Sequence, residues 1–324
     1  MKNYRLHNTD LDVSRIAFGT WHLGGSWDKT PADESIKKRA VELIETAVAH
    51  HINLIDLADI YTWGKSDEMV GHALRQNPSL RDKLVLQAKC GIIMGNDPHP
   101  GAPGRYDFSF DHIVSAVEGT LRRLGTDRVE ILLLHRPDPL MEPEEVARAF
   151  DHLQQSGKVL HFGVSNFNAG QIALLQHALD QPLRINQVEL NLLHHYLISD
   201  GIVANMTQPT YPGISGTLDY CRLNHILIQA WSPVAGGQLF VPRDNDPANV
   251  HATAAEIARL AATHNTSKEA IALAWLLRHP APIQPILGTL KPERIAPSVL
   301  ADKVALSRIE WYQLLAAARG AGVP

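Results

Sequence analysis

The sequence has few cysteines, no long apolar run and little net charge. Its 324 residues include only Cys90 and Cys221, and neither lies in a metal-binding or redox motif. We therefore expect no disulfide framework and favour a reducing compartment. No apolar run reaches the roughly 18 residues of a membrane span, and MKNYRLHNTD at the N-terminus lacks the apolar segment of a signal peptide. These features predict a cytoplasmic protein.

Several ligand motifs are also missing. The formal net charge of −4 gives no reason to expect nucleic acid or an anionic membrane surface as a partner. There is no GxGxxG after a strand, no Walker loop and no HExxH. The 17 histidines include the pairs His50-His51 and His194-His195, but neither pair has metal-ligand spacing. A Rossmann domain and a metal site are therefore disfavoured.

What the chain does have is one repeated rhythm, in which short runs rich in Val, Ile and Leu alternate with stretches of helical period. The runs that we interpret as strands are residues 16–19, 53–56, 84–88, 129–134, 160–164, 185–189, 226–230 and 283–288. Continuously apolar strands with helices between them indicate a parallel sheet covered on both faces. Eight repeats predict an α/β fold, the (β/α)8 TIM barrel. Because this alternation recurs along the whole chain and there is no linker or low-complexity segment, we expect a single domain over residues 1–324.

The helices between the strands have recognisable ends. Ser109 or Asp111 is a candidate cap for a helix that stops at Gly125, and Asn168 is a candidate cap for another. The C-terminal part predicts helices at 255–263, 268–278, 292–301 and 307–318.

Two long loops interrupt the rhythm. Residues 92–110 follow the third strand and residues 191–217 follow the sixth, and both are rich in Gly, Pro and aromatic residues. Loops of this length inside a compact domain tend to be functional. Both leave the C-terminal ends of strands, where barrel enzymes build their active sites, so we expect both loops over the active-site face.

Polar and aromatic residues stand at the same end of successive strands. The set comprises Asp56, Tyr61, Lys89, His135, Ser165, Asn166, Gln187, Glu189, Trp231, Ser232, Gly288 and Thr289. Each has an ordinary structural explanation when taken alone: Asp56 suits a turn or a cap, Lys89 a solvated strand end, and Trp231 the core. Their shared position instead predicts that they point at one axis.

Four of these residues suit carbonyl reduction. A phenol has an unperturbed pKa of about 10, and a neighbouring ammonium lowers that pKa. Asp56 would orient Lys89, and Tyr61 would then protonate an oxygen that gains charge. His135 would hydrogen-bond to the same oxygen.

Reduction also needs a hydride source, and the segment LGTLKPERI offers a phosphate site for a dinucleotide. We expect a turn at Gly288 and Thr289 and a helix that begins at Pro292. Lys291 and Arg294 would then flank the free backbone N–H groups of that helix. An ordinary helix start with solvated charges is the alternative.

With these residues in place, the chain resembles the aldo-keto reductases, and in particular a bacterial oxidoreductase branch of that family. The motifs NLIDLADIY, AKCG, LLLHRPD, GVSNF, INQVELN, AWSPVAGG and ILGTLKPERI follow in family order. The resemblance implies a barrel enzyme that reduces aldehydes or ketones, or oxidises the corresponding alcohols, with NADPH, and with NADH as a second cofactor. It implies that Asp56, Tyr61, Lys89 and His135 are the catalytic residues.

The resemblance also implies a set of cofactor contacts. These are Ser165, Asn166 and Gln187 for the nicotinamide carboxamide, Trp231 for the nicotinamide ring, Ser232, Val234, Gly236 and Gly237 for the pyrophosphate, and Gly288, Thr289, Lys291 and Arg294 around the adenosine 2′-phosphate. Trp21 and Trp63 are candidates for the substrate pocket. Ser298 stands where a helix Asn often contacts adenine, which predicts a modest preference for NADPH over NADH.

Two functions remain open from the residues. The first is the reductase with a small carbonyl substrate. The second is a nucleotide-binding sensor or partner subunit with little turnover, because channel-associated beta subunits resemble the same family and keep a similar set of four residues.

Overall fold

All eight predicted strands are present, and they close into a parallel barrel. The computed structural model describes residues 1–203, 206 and 216–324. Its strands are β1 (Asn3–Arg5), β2 (Asp12–Ser14), β3 (Ala17–Gly19), β4 (Leu54–Asp56), β5 (Val85–Cys90), β6 (Ile92–Ile93), β7 (Arg105–Tyr106), β8 (Val129–Leu134), β9 (Val159–Ser165), β10 (Leu183–Glu189), β11 (Leu227–Trp231) and β12 (Ile283–Leu287). The barrel has the strand order β10-β11-β12-β3-β4-β5-β8-β9, and β1-β2 and β6-β7 form separate antiparallel pairs. Each barrel strand lies within two residues of its predicted bounds, because its apolar run is buried on both faces.

Helices follow most of the barrel strands. They are α1 (Glu34–Ala49), α2 (Lys65–Gln76), α3 (Phe110–Leu124), α4 (Pro143–Gln155), α5 (Ala169–Ala178), α6 (Tyr196–Ser199), α7 (Thr217–Leu223), α8 (Ala248–Thr263), α9 (Lys268–Leu277), α10 (Ile295–Val299) and α11 (Arg308–Arg319). The predicted ends of α3 are confirmed: the Ser109 side chain accepts from the His112 N–H, and Gly125 ends the helix at a φ of 70°. Asn168 caps α5 and forms a capping box with Gln171.

The predicted helix over residues 292–301 is wrong in its details. Pro292–Arg294 is a single 3-10 turn, and the α-helical part is the five-residue α10, followed by a second 3-10 turn at Leu300–Lys303. Pro297 lies within α10 and lacks the N–H that a longer helix would need. So short an α-helix contributes little dipole, and the phosphate site expected around Pro292 remains a prediction.

The two long loops contain some regular structure. Within residues 92–110, β6 and β7 pair with Ile92 opposite Tyr106, and α3 already begins at Phe110. Within residues 191–217, Asn191 and His194 form a bridge and α6 follows, while residues 204, 205 and 207–215 lie outside the described residues. Their predicted position over the active-site face remains a prediction.

Backbone contacts divide the chain into two compact units. The terminal unit comprises Met1–Ile16, Gln187–Leu287 and Glu293–Pro324, and the central unit comprises Ala17–Asn186 and Gly288–Pro292. All four catalytic candidates lie in the central unit, whereas Gln187, Trp231 and Arg294 lie in the terminal unit. The assignment of residues 1–324 to one domain stays a prediction. No helix within the described ranges is long and apolar enough to cross a membrane.

Candidate active site

A buried ion pair joins the C-terminal end of β4 to β5. Asp56 is 3% exposed and Lys89 is fully buried. The Lys89 Nζ donates to Asp56 Oδ1 at 2.5 Å and to the Leu57 carbonyl at 2.9 Å. The Gln87 amide donates to the same Asp56 oxygen at 2.7 Å. Because Gln87 and Lys89 are two residues apart on one strand, they project from the same face and reach the same carboxylate.

The pair fixes a positive charge in the interior. Burial lowers the pKa of Lys89, and the Asp56 carboxylate offsets part of that lowering. A buried ammonium that loses such a partner becomes an uncompensated charge, which is strongly destabilising. Asp56 therefore holds Lys89 in position and favours its charged form.

Tyr61 lies beside this ion pair. It begins a 3-10 turn, Tyr61–Gly64, just after β4, and its ring centre is 5.0 Å from the Lys89 Nζ. Burial raises the pKa of Tyr61 well above 10, and the Asp56 carboxylate raises it further. The expected net lowering of this pKa is therefore not found, because desolvation and the nearby carboxylates outweigh the effect of neighbouring cations. The phenol is protonated at neutral pH, as a proton donor must be.

The turn that carries Tyr61 has an unusual backbone. Residues 62–64 all have positive φ, between 49° and 84°, which is strained for Thr62 and Trp63. Buried hydroxyls hold the turn in place: Thr62 Oγ1 lies 3.0 Å from Ser66 Oγ, which donates to the Thr20 carbonyl at 2.7 Å. Strain of this kind, retained by surrounding hydrogen bonds, is common at functional sites.

His135 completes the group. It follows β8 directly, and its ring lies 5.7 Å from the Tyr61 ring at an interplanar angle of 77°. Burial lowers the pKa of His135 well below 6.5, and the charges of Lys89 and Arg136 lower it further, so the imidazole is neutral. No described residue hydrogen-bonds to its buried Nδ1. A neutral imidazole offers one donor and one acceptor, and no described residue uses the one at Nδ1.

The structure also reveals an acidic cluster that the sequence analysis missed. Asp59 lies between Asp56 and Tyr61, and its buried Oδ1 has no partner among the described residues. Burial and the Asp67 carboxylate raise the pKa of Asp59 to about 7. Asp67 is fully buried and accepts from Arg123 Nη2 at 2.9 Å, yet burial still raises its pKa to about 6. The charge of the Arg123 guanidinium therefore lowers the pKa of both buried carboxyl groups, but not enough to offset their burial. The second aspartate of the DLADIY motif, Asp59, could have indicated this cluster from the sequence.

Two of the predicted nicotinamide contacts lie next to His135 in the central unit. Ser165 ends β9 and is buried, and Asn166 follows it with a φ of 65°. The Asn166 Nδ2 donates to Ser165 Oγ at 2.8 Å and to the His135 carbonyl at 3.2 Å. Amide and hydroxyl groups of this kind suit a carboxamide ligand, which both donates and accepts hydrogen bonds.

The third predicted carboxamide contact belongs to a buried amide ladder in the terminal unit. Gln187 donates to Gln229 at 2.9 Å, Gln229 donates to Gln284 at 2.8 Å, and Gln284 donates to the Ser14 carbonyl at 2.5 Å. The ladder fixes the Gln187 side chain, and its Nε2 is already engaged. Any ligand contact of Gln187 would use the rest of its amide group.

Trp231 is followed by a loop whose glycine backbone is open. Trp231 ends β11 and is half-buried. Ser232, Gly236 and Gly237 have φ values of 50°, 63° and 95°, and Val234 lies between them. A Cβ added at either glycine would meet no atom within 4 Å, so the backbone there faces open space. Asn191 donates to the Ser232 carbonyl at 3.0 Å and supports the start of the loop.

The predicted phosphate contacts are mostly exposed. In the central unit, Lys291 is exposed and its backbone N–H donates to Thr289 Oγ1 at 3.1 Å, close to Gly288. In the terminal unit, Arg294 is exposed, and its carbonyl accepts from the buried Ser298 hydroxyl at 2.8 Å. The ammonium and hydroxyl of the central unit, and the guanidinium of the terminal unit, are each donors of a kind that suits a phosphate monoester.

The two substrate-pocket candidates differ in exposure. Trp21 is 52% exposed and makes an edge contact with Trp27, with ring centres 5.9 Å apart. Trp63 is half-buried, and the Lys29 Nζ lies 4.8 Å from its ring centre. Trp21 therefore offers the larger bare aromatic surface.

Comparisons with known proteins relate this chain to one enzyme family. The model of the Aldo/keto reductase family matches residues 15–318. The chain is 38% identical to a 6-dehydroglucose reductase of Agrobacterium fabrum, over 96% of each chain, and 36% identical to Oxidoreductase YdhF of Escherichia coli, over 97% of this chain and 96% of the relative. A glycerol dehydrogenase structure from Gluconobacter oxydans superposes with a TM-score of 0.81 at 27% identity, covering 97% of this chain and 95% of the other.

Proposed function

This chain belongs to the aldo/keto reductase family, and we propose that it is an NADPH-dependent carbonyl reductase in which Tyr61 is the proton donor. Membership of the family means a nicotinamide-dependent oxidoreductase that acts on carbonyls and alcohols. The observation that carries the finer proposal is the buried Asp56–Lys89 pair, with Tyr61 and His135 beside it.

Bound NADPH would supply the hydride, and the residues of the chain would manage the proton and the charge. The Tyr61 hydroxyl donates its proton to the substrate oxygen as that oxygen becomes negative. The Lys89 ammonium then stabilises the phenolate left on Tyr61, and Asp56 keeps the ammonium in place. The neutral His135 donates a hydrogen bond to the same substrate oxygen and fixes its position. In alcohol oxidation the same groups act in reverse.

The cofactor contacts follow the family pattern, with two adjustments from the structure. Ser165, Asn166 and Gln187 would hold the carboxamide, although the Gln187 Nε2 is committed to Gln229. Trp231 would stack on the nicotinamide ring, and residues 232–237 would cover the pyrophosphate. Because α10 is short, the 2′-phosphate would be recognised by the side chains of Lys291 and Arg294, and a helix N-terminus would add little. These exposed cations favour NADPH, and NADH would still bind through the other contacts.

For the substrate we propose a sugar-derived aldehyde. Two bacterial relatives named 6-dehydroglucose reductase are 38% and 35% identical to this chain over nearly its whole length. The exposed face of Trp21 supports the proposal, because a flat aromatic surface suits the apolar C–H face of a sugar ring. We further propose a cytoplasmic location, which fits the two buried thiols Cys90 and Cys221.

Steady-state consumption of NADPH by the purified protein tests the proposal. The panel should contain 6-dehydroglucose, simple aldehydes, ketones and aldose sugars, with Tyr61→Phe as the matched inactive control. We expect sustained turnover with aldehydes and the highest kcat/KM with 6-dehydroglucose. A slow single turnover with NADPH held tightly would instead support the sensor or partner subunit.

A further inference from the structure

The segment between β3 and α1 presents aromatic side chains to solvent. We name residues 20–33 the tryptophan loop. Trp21 and His22 have ring centres 4.4 Å apart, and the Trp27 indole N–H donates to His22 Nδ1 at 3.2 Å. These contacts hold the aromatic residues to one another, so the position of Trp21 depends on where the loop as a whole is attached.

Lys65 makes that attachment. It is the first residue of α2, lies four residues after Tyr61 and is only 5% exposed. Its Nζ donates to the Thr30 carbonyl at 2.8 Å and lies 3.5 Å from both Ser26 Oγ and Asp28 Oδ1. An ammonium has three donors, and all three acceptors belong to the tryptophan loop. Lysine is rarely buried without such partners, which indicates a specific role for this side chain.

Close packing reinforces the attachment. A Cβ added at Gly24 would clash with Thr62 Oγ1 and would lie 2.6 Å from the Lys65 Cβ, so the loop backbone rests directly on the Tyr61 turn. The Lys29 ammonium also lies over the Trp63 ring. The loop is therefore joined to the Tyr61 turn and the start of α2 at several places, which include the buried Ser66 hydroxyl donating to the Thr20 carbonyl at 2.7 Å. Lys65 is the polar link that reaches residues 26–30.

We propose that Lys65 is a positioning residue that fixes the tryptophan loop to the Tyr61 turn and thereby controls selectivity for large substrates through Trp21. The proposal rests on the proposed reductase function. A small aldehyde needs only the catalytic group, whereas a larger substrate also contacts the aromatic surface of Trp21. Loss of the anchor therefore weakens binding of large substrates selectively.

Lys65→Met tests this role, because methionine keeps an apolar stem of similar length and removes the three donors. Ser26, Asp28 and Thr30 are exposed, so water can solvate the groups that lose the ammonium. We expect KM for a sugar aldehyde to rise roughly 10- to 100-fold, the range that a displaced substrate contact produces. Turnover of a two- or three-carbon aldehyde should stay within a factor of about 2 of the original protein.

A second readout follows the loop itself and requires no turnover. Amide hydrogen exchange of residues 26–30 and tryptic cleavage after Lys29 should both accelerate in Lys65→Met. Lys37→Met is the matched control, because the Lys37 ammonium pairs with Glu34 on α1 and, among the described residues, makes no hydrogen bond or ion pair with the tryptophan loop.

The outcomes separate the two proposals. Unchanged exchange in Lys65→Met would overturn the anchor. Faster exchange with KM values that are unchanged, or raised equally for small and large aldehydes, would overturn the control of selectivity. Absence of turnover with every carbonyl in the unmodified protein would overturn the reductase proposal and the selectivity claim, while the exchange measurement would still decide whether Lys65 anchors the loop.

Discussion

The catalytic candidates and the phosphate-contact candidates differ in how much of their geometry the protein fixes on its own. Asp56 and Lys89 are almost fully buried and bound to each other before any ligand arrives. Lys291 and Arg294 are exposed. Groups that stabilise a transition state must be preorganised, because moving them during the reaction costs free energy. Groups that recognise a doubly charged phosphate can instead be ordered by the ligand.

This difference predicts that substitutions in the two groups have different effects on stability and on ligand binding. Removing a buried charge changes the stability of the fold as well as the chemistry, because its partner is left without compensation. Removing an exposed cation changes ligand binding and leaves the fold intact. The predictions below test this contrast, from the largest effect to the smallest.

Lys89→Met should show the largest combined effect. Turnover should fall by a factor of about 100 to 10,000, since the proton donor loses its stabilising cation. The free energy of unfolding should fall by about 3–5 kcal/mol, because Asp56 stays buried without its partner. Denaturant unfolding and steady-state kinetics measure both quantities. Adding Asp56→Asn to this variant should recover part of the stability and none of the turnover. Normal stability of Lys89→Met would contradict the difference proposed here between buried and exposed charges.

Asp59→Asn should stabilise the protein in a pH-dependent way. The pKa of Asp59 is about 7 in the folded protein and has an ordinary value of 3.8, so folding takes up a proton between these limits. Stability of the unmodified protein therefore falls as pH rises through this window, and the variant escapes that loss. We expect an advantage of roughly 2–4 kcal/mol at pH 8 that shrinks toward pH 4. Thermal unfolding of both proteins across this range checks the sign, and a constant difference would contradict it.

Arg294→Ala should affect one cofactor selectively. A charge-assisted hydrogen bond contributes roughly 1.5–3 kcal/mol, so KM for NADPH should rise by one to two powers of ten. KM for NADH should change little because NADH has no 2′-phosphate. The ratio of kcat/KM for the two cofactors measures the effect, with the exposed Arg308→Ala on α11 as control. Equal weakening with both cofactors would show that Arg294 supports local structure.

Trp231→Ala should have the smallest effect. Loss of an aromatic stacking surface weakens cofactor binding by roughly 1 kcal/mol. Quenching of indole fluorescence on addition of NADPH should also decrease, while Trp21→Ala should retain the quench. An undiminished quench in Trp231→Ala would place the stacking surface elsewhere.

Much of the fold could be predicted from the sequence because the barrel strands are apolar on both faces. The runs at 129–134 and 283–288 are visible without knowledge of their neighbours, and β8 and β12 lie within one residue of them. The helical segment predicted at 292–301 is present, but only Ile295–Val299 is α-helical, because the 3-10 turns on either side depend on local backbone geometry that apolar periodicity does not report.

The candidate site was predictable in part for a similar reason. Asp56, Lys89 and His135 stand at strand ends, where position alone brings them together. The role of Lys65 was not visible, because its partners lie 35 to 39 residues away in an irregular loop. The raised pKa of Tyr61 was also missed, because desolvation depends on burial in three dimensions.

Single-turnover reduction of an aldehyde by Tyr61→Phe with bound NADPH tests the central claim most directly. The phenylalanine keeps the ring beside Lys89 and His135 and removes only the hydroxyl. We predict that NADPH binds with an unchanged Kd and that the chemical step slows by a factor of about 100 to 10,000. A near-normal rate for that step, with cofactor binding intact, would contradict the assignment of Tyr61 as the proton donor.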